Sequence, residues 1–481
     1  MNKDINFAKQ PPSYYAGDEL HAIKQQKLQN ALEKSGFDAF LFFKAEAVRW
    51  ATDFYVKGFR PFLEPEYVAL VVKGRPPVVG YISGSDDLRI RFKSDIEDAR
   101  RLPHVSKWHE VIEKMLADYG VSEGRIATDI MPHMVFQGLT KRCPALQIGD
   151  VTPMWLQLTA VKHPIEIELI RNSLRVADLG ALAAIDAIRP GVTEQSVSAA
   201  AVTAMRRAGS EFEPFIPLIA SGANASMFER IATEKVINSG EMVIVDLGAV
   251  VKGYTADLGR TVLCGDEPTE TQRSIYKATY LALQEAKKMI RPGVTGKAID
   301  ARAREVIADS GWGDYTYTGN TGHQLGYGLH GEPLVDRRVD FVVEENMVMC
   351  LEPRIVLPDQ PHVGGAHLED VVVVTATGCE QLNTTPYDAR LLLMPFKPTG
   401  EARVRGWKPL LLRTATPVTP STNPGVLNMP CPQMSRRLFS RALGMTAASV
   451  ALPRIAIAQG DKPLQIIVAT RQEAAPMPSR G

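Results

Sequence analysis

Cysteine is scarce in this chain: five residues in 481, odd in number and scattered at Cys143, Cys264, Cys350, Cys379 and Cys431. None lies at a metal-knuckle spacing, which argues against a disulfide-stapled scaffold and for reduced thiols, the default of a cytoplasmic body. There is no excess of either charge. A formal net charge of +1 offers no footprint for nucleic acid or an anionic membrane. The first residues, Met1-Asn-Lys-Asp-Ile-Asn-Phe, are polar and lack the apolar core of an export signal. An apolar run at 442–452 is too short to span a bilayer. A hydrophobic content of 45% and a charged content of 23% are those of an ordinary soluble globular protein, and the length allows two or three domains. We therefore expect a cytoplasmic protein with neither nucleic acid nor membrane as a partner.

What the chain does have is a set of carboxylates in unexpected surroundings. Asp246 lies in Val-Ile-Val-Asp-Leu-Gly, Asp257 in Tyr-Thr-Ala-Asp-Leu-Gly-Arg-Thr, Glu352 follows Met-Val-Met-Cys-Leu, and Glu369 precedes Asp-Val-Val-Val-Val. A lone Asp at a strand end is usually a turn residue, and a lone Glu is usually solvated surface. Burying these charges inside apolar runs without a cationic partner would be costly. With His323 they form an all-oxygen and nitrogen donor set, four carboxylates and one imidazole, suited to two divalent cations such as manganese, iron, cobalt or zinc. The eleven positions from Asp246 to Asp257 fit two antiparallel strands joined by a turn at Lys252-Gly253, with both carboxylates on one side. Such a centre activates water and polarises a carbonyl, the requirements of hydrolysis at neutral pH.

Residues 21–155 alternate between helical and strand patterns, with helices at 22–35 and 108–119 and strands at 39–43, 68–72 and 77–81, which predicts an α/β N-terminal domain. It holds no metal ligand, so it is expected to shape the site or support dimerisation. Arg60, in Gly-Phe-Arg-Pro-Phe, is a candidate carboxylate clamp on substrate, although a solvated loop arginine is the simpler reading. Downstream, Arg189-Pro-Gly-Val-Thr193 recurs as Arg291-Pro-Gly-Val-Thr295. Each copy follows a long amphipathic helix (165–188 and 272–290) and precedes another ending near Gly209 or Gly311, with Thr193 and Thr295 placed as N-caps. Strands follow in both halves, at 243–245 and 261–263, then 347–351 and 371–374. The recurring order predicts a duplicated α+β unit whose ligands divide between the halves.

The ordered motifs resemble the metal-dependent pita-bread superfamily that includes aminopeptidase P, prolidase, methionine aminopeptidase and creatinase. The resemblance runs over residues 20–395 and rests on the stretches around Asp246, Asp257, Gly322-His-Gln-Leu-Gly326, His330-Gly-Glu-Pro333, Glu352-Pro353 and Leu368-Glu-Asp-Val371. Leu158-Thr-Ala-Val-Lys-His-Pro looks like the opening of the catalytic domain. The resemblance implies an N-terminal α/β domain (1–158), an α+β pita-bread catalytic domain with an internal pseudo-twofold repeat (159–396), and a homodimer. It implies that Asp246 chelates one cation, that Asp257 and Glu369 bridge, and that His323 and Glu352 complete the centre. Glu352 would also shuttle a proton, and His330 would steady the tetrahedral intermediate; the plainer role for His330 is a core histidine in a Gly-rich loop.

Two positions depart from the peptidase pattern. Where the peptidases carry a histidine after Ser-Gly-x-Asn, the matching residue is Glu229. Where many have an arginine two residues before the last metal-ligand glutamate, this chain has His367. Both are expected to touch substrate, and both weaken the expectation of ordinary Xaa-Pro cleavage. Glu229 has its own plain alternative, a surface ion pair. The segment Met-Phe-Glu229, and Cys350 before the Glu352 motif, are also similar to dimethylsulfoniopropionate lyases of the superfamily, which differ in the aspartate pair and lack a match to His330. The leading expectation is a dinuclear metallohydrolase of the Xaa-Pro peptidase type acting on a short peptide or another small C–N substrate. The alternative is a metal-dependent carbon–sulfur lyase acting on a small zwitterion. A metal-free creatinase-like hydrolase and a non-catalytic binding module both conflict with the intact ligand set.

Residues 397–481 change character. Pro, Thr and Arg dominate 395–433 without periodicity, which reads as a disordered linker. Met434-Ser-Arg-Arg-Leu-Phe439, the apolar run and Ala456-Ile-Ala458 then look like a twin-arginine export signal in the wrong place. We expect this tail to be accidental to the enzyme, the alternative being a surface amphipathic helix.

Overall fold

The computed structural model describes residues 17–54, 65–94, 96–229, 231–265, 267–316 and 319–392. Arg60 and the tail at 397–481 lie outside the described residues. The N-terminal part is a six-stranded sheet in the order Asp98–Arg101, Val78–Tyr81, Tyr67–Val72, Ala39–Phe42, Arg125–Thr128, Gln147–Asp150. Ala39–Phe42 runs antiparallel to Tyr67–Val72 and parallel to Arg125–Thr128. Both faces of this strand are covered. Phe40 and Phe42 pack with Leu28, Leu32 and Trp50 on one side, while Ala39, Leu41 and Phe43 pack with Trp108, Ile112 and Leu116 on the other. Burial on two faces explains why the sequence shows continuous apolar runs here rather than alternation.

Helix Thr152–Ala160 leads out of this sheet. It spans positions 158 and 159, and the non-helical residues 161–163 separate it from the next helix. Its Trp155 stacks edge-on against Phe42 and Trp50, with centroids 5.6 Å away in each case. Arg49 reaches across to Glu211 through two hydrogen bonds of 2.7 and 3.0 Å, a bidentate geometry that fixes orientation.

Two helix pairs follow, Pro164–Ala187 with Glu194–Arg207 and Glu270–Met289 with Gly296–Asp309. The caps arise from local chemistry. The hydroxyls of Thr193 and Thr295 accept from the N–H groups of Ser196 and Ala298, at 3.2 and 3.3 Å, satisfying otherwise orphaned helix donors. The repetition extends into tertiary structure. Thr193 bridges to Val236 as Thr295 does to Val342. The N–H groups of Gly191 and Gly293 bond the carbonyls of Ile237 and Val343, at 3.0 and 2.9 Å.

Each half supplies a sheet. The first has the order Leu258–Leu263, Met242–Leu247, Leu218–Ser221; the second has the order Gly331–Val335, Gly322–Gln324, Val348–Leu351, Asp370–Val374, Cys379–Gln381. A short pair, Arg354–Val356 with Gly365–His367, lies beside them. The sheets meet where Glu369 N–H bonds the Gly259 carbonyl at 3.0 Å. Arg260, wholly buried, donates to the Glu369 carbonyl and pairs with Asp370 at 3.0 Å. This is an α+β duplicated architecture with the functional carboxylates at the seam.

Candidate metal centre

Asp246 sits in the middle strand of the first sheet, opposite Gly259 on one neighbour and Leu218 on the other. Asp257 immediately precedes the strand Leu258–Leu263. Between them a two-residue turn joins Val250–Val251 to Tyr254–Thr255. Lys252 and Gly253 have φ of 52° and 82°, the pair of positive values that a tight hairpin with right-handed twist requires. Because Asp246 faces Gly259 and side chains alternate along a strand, Asp257 falls on the same side as Asp246.

The second half closes over this pair. His323 lies on Gly322–Gln324, and its Nδ1–H donates to the Gln324 carbonyl at 2.9 Å. That bond leaves the Nε2 lone pair to face Asp257 Oδ2 at 3.5 Å and Glu352 Oε1 at 3.8 Å, the tautomer a metal-binding histidine needs. Glu352 follows the strand Val348–Leu351. Its Oε1 accepts from Asn320 Nδ2 at 3.3 Å, and its Oε2 is held by Arg354. Glu369 is 1% exposed, and its Oε1 is buried with no hydrogen-bond partner among the described residues.

The donor atoms form two groups. One ligand atom each from Asp257, His323, Cys350 and Glu369 lies within 4.8 Å of the others, and so does one each from Asp246, His367 and Glu369. Glu369 belongs to both. Burial, reinforced by the charges of Asp257, Asp246 and Glu352, raises its pKa well above the usual carboxylate range. Burial likewise pushes up the Cys350 thiol, helped by Glu369 and Asp257. Burial disfavours protonated His323, but Asp257 and Glu352 outweigh it and raise its pKa. Carboxylates crowded in this way repel one another, and divalent cations relieve that repulsion. The donor set and the orphaned Glu369 oxygen fit such ions.

Four of the five residues expected as metal ligands fall in these two groups; the fifth, Glu352, lies beside them with its Oε1 3.8 Å from His323 Nε2. His330 is exposed, not a core histidine, and its ring sits edge-on to His323 with centroids 4.7 Å apart, at the mouth of the centre. Glu229 is also exposed. The residue of that segment that packs on the centre is Phe228, its ring 5.1 Å from that of His367 and beneath the Arg354 guanidinium at 4.3 Å. Phe228 has φ 52°, and this left-handed backbone turns the next residue outward. His367, expected on the substrate side, is instead fully buried, with Nε2 3.5 Å from Asp246 Oδ2 and 3.7 Å from Glu369 Oε2. The signal was available: two positions apart on an extended chain, His367 and Glu369 share a face. Arg354 and Asn320 carried no such signal, since they reach Glu352 only through the fold. A shallow, open cleft lined by Arg304, Asn320, Thr321, Glu352 and Arg354 lies on this side.

Residues 168–376 match metallopeptidase family M24, and residues 24–161 match the creatinase/prolidase N-terminal domain. A Xaa-Pro dipeptidase of Pyrococcus horikoshii is 29% identical over 346 residues, covering 69% of this chain and 97% of the relative. A Xaa-Pro dipeptidase of Pyrococcus furiosus is 36% identical over 228 residues, covering 47% of this chain and 64% of the relative. The crystal structure of an X-Pro aminopeptidase from Thermotoga maritima superposes with a TM-score of 0.67 at 26% identity, covering 76% of this chain and 98% of that one. Fold and site together define an enzyme, a metallohydrolase with a creatinase-type N-terminal domain and a pita-bread catalytic domain. The chain belongs to the pita-bread metallopeptidase superfamily, alongside the Xaa-Pro peptidases. Among the described residues, no helix is long and apolar enough to cross a membrane.

Proposed function

We propose that this enzyme is a dinuclear dipeptidase or aminopeptidase that hydrolyses the bond before proline in short peptides. The observation that carries the reading is Glu369, one buried carboxylate common to two adjacent donor groups. Asp246, Asp257 and Glu369 would hold one cation, and Asp257, His323, Glu352 and Glu369 the other. Divalent cations bound there supply Lewis acidity toward a carbonyl and lower the pKa of water. The protein supplies the rest. Arg354 and Asn320 fix the Glu352 carboxylate, which takes a proton from water and returns it to the leaving nitrogen. His330, at the mouth, donates a hydrogen bond to the oxygen that gains charge as the amide carbon becomes tetrahedral.

The names of the relatives support the Xaa-Pro substrate. Glu229 and Arg60 receive no role here, because the first is exposed and the second lies outside the described residues. The superfamily resemblance supports a homodimer as part of this reading. A cytoplasmic setting is supported by the unpaired thiols of Cys143, Cys264, Cys350 and Cys379. The test is anaerobic metal analysis with manganese, iron, cobalt and zinc, followed by assays on Xaa-Pro dipeptides and on dimethylsulfoniopropionate. Two equivalents of metal and release of proline are expected. Turnover of the sulfonium substrate alone would replace this reading with a lyase.

A further inference from the structure

We propose that His367 is a metal ligand, so that the cation beside Asp246 has an imidazole of its own and each cation of the centre has one. The inference rests on the dinuclear reading and adds a sixth protein ligand to it. Donors around a transition metal at about 2.0–2.2 Å lie roughly 3–4.4 Å from one another. The 3.5 and 3.7 Å separations from His367 Nε2 to Asp246 Oδ2 and Glu369 Oε2 fall in that range.

Several features hold the ring in this place. The His367 N–H donates to Thr261 Oγ1 at 2.9 Å, and the Thr261 hydroxyl donates back to the His367 carbonyl at 2.9 Å. The opposing residue is Gly259, and a Cβ there would collide with His367 Nε2, so the absence of a side chain makes room for the ring. Phe228 covers the ring from the other side. Such a desolvated imidazole, aimed between two carboxylates, is built either to share a cation with them or to neutralise them as an imidazolium.

Metal binding separates these two. In the wild-type protein loaded with cobalt(II), X-ray absorption should require two imidazoles per two cations; one imidazole in total would overturn the proposal without any substitution. His367→Gln should leave the His323-side cation bound and weaken the other by more than the ~10–100-fold expected when only a hydrogen-bond partner of a ligand is lost. His323→Gln should do the reverse. Retention of both cations at wild-type affinity in His367→Gln, with circular dichroism unchanged, would also overturn it. If the wild type binds a single cation, the dinuclear reading fails on its own. His367 then stands as a ligand if His367→Gln weakens that cation, and falls if only His323→Gln does.

Discussion

The two halves of the catalytic domain share a scaffold but not a chemistry. Both follow a long helix with Arg-Pro-Gly-Val-Thr, cap the next helix with the threonine, and tie the linker to a strand through matching glycine and threonine bonds. The residue after the threonine already differs. In the first half it is Glu194, fully buried, accepting from Ser221, Asn224 and Thr233, including 2.7 Å from Ser221 N–H and 3.0 Å from Thr233 N–H. In the second half it is Gly296, packed under Phe341. There the organising carboxylate is Asp300, four residues further on, which holds Thr321 and the Arg337 N–H. The candidate ligands differ more still: two aspartates from the first half, two histidines and two glutamates from the second. A duplicated frame tolerates this divergence because caps and linkers determine where the strands lie, while the strand side chains determine what the seam can bind.

Glu369 is where the comparison breaks most severely, since both donor groups use it. Glu369→Ala should lose both cations and lower kcat/KM on the order of 10³-fold or more, the several kcal/mol that metal ions supply. Metal analysis and dipeptide turnover check this. His330→Ala touches only the mouth. It should keep the full metal content while kcat falls about 10²–10³-fold, the cost of one oxyanion donor.

Glu194→Ala tests whether the first half depends on its own buried carboxylate. Several donors lose their acceptor, so denaturant unfolding should show a loss of about 3 kcal/mol or more. Gly296→Ala at the matching place should cost about 1–3 kcal/mol by overpacking against Phe341. The smallest effects should be equal in the two halves: Thr193→Ala and Thr295→Ala at about 1 kcal/mol each, measured the same way. A marked inequality between them would mean that the repeat is less symmetric in energy than in geometry.

What the sequence determined by itself is what depends on near neighbours along the chain. Thr193 and Thr295 cap helices because their hydroxyls reach N–H groups three residues on. Lys252-Gly253 turns because two positive φ values close a two-residue hairpin, and that hairpin puts Asp246 and Asp257 on one side. The apolar runs around Asp246, Glu352 and Glu369 marked carboxylates that would be buried, and the order of the motifs identified the superfamily. The tertiary structure alone decided how separate strands lie against each other. The pairing of Arg354 with His367 across a short ladder directs one side chain to Glu352 and the other to Asp246. The left-handed Phe228 sends Glu229 outward and brings its own ring to the centre. Gly259 makes room for an imidazole more than a hundred residues away. Contacts of this kind depend on strand register and on the meeting of two sheets, and no local preference of the chain specifies either.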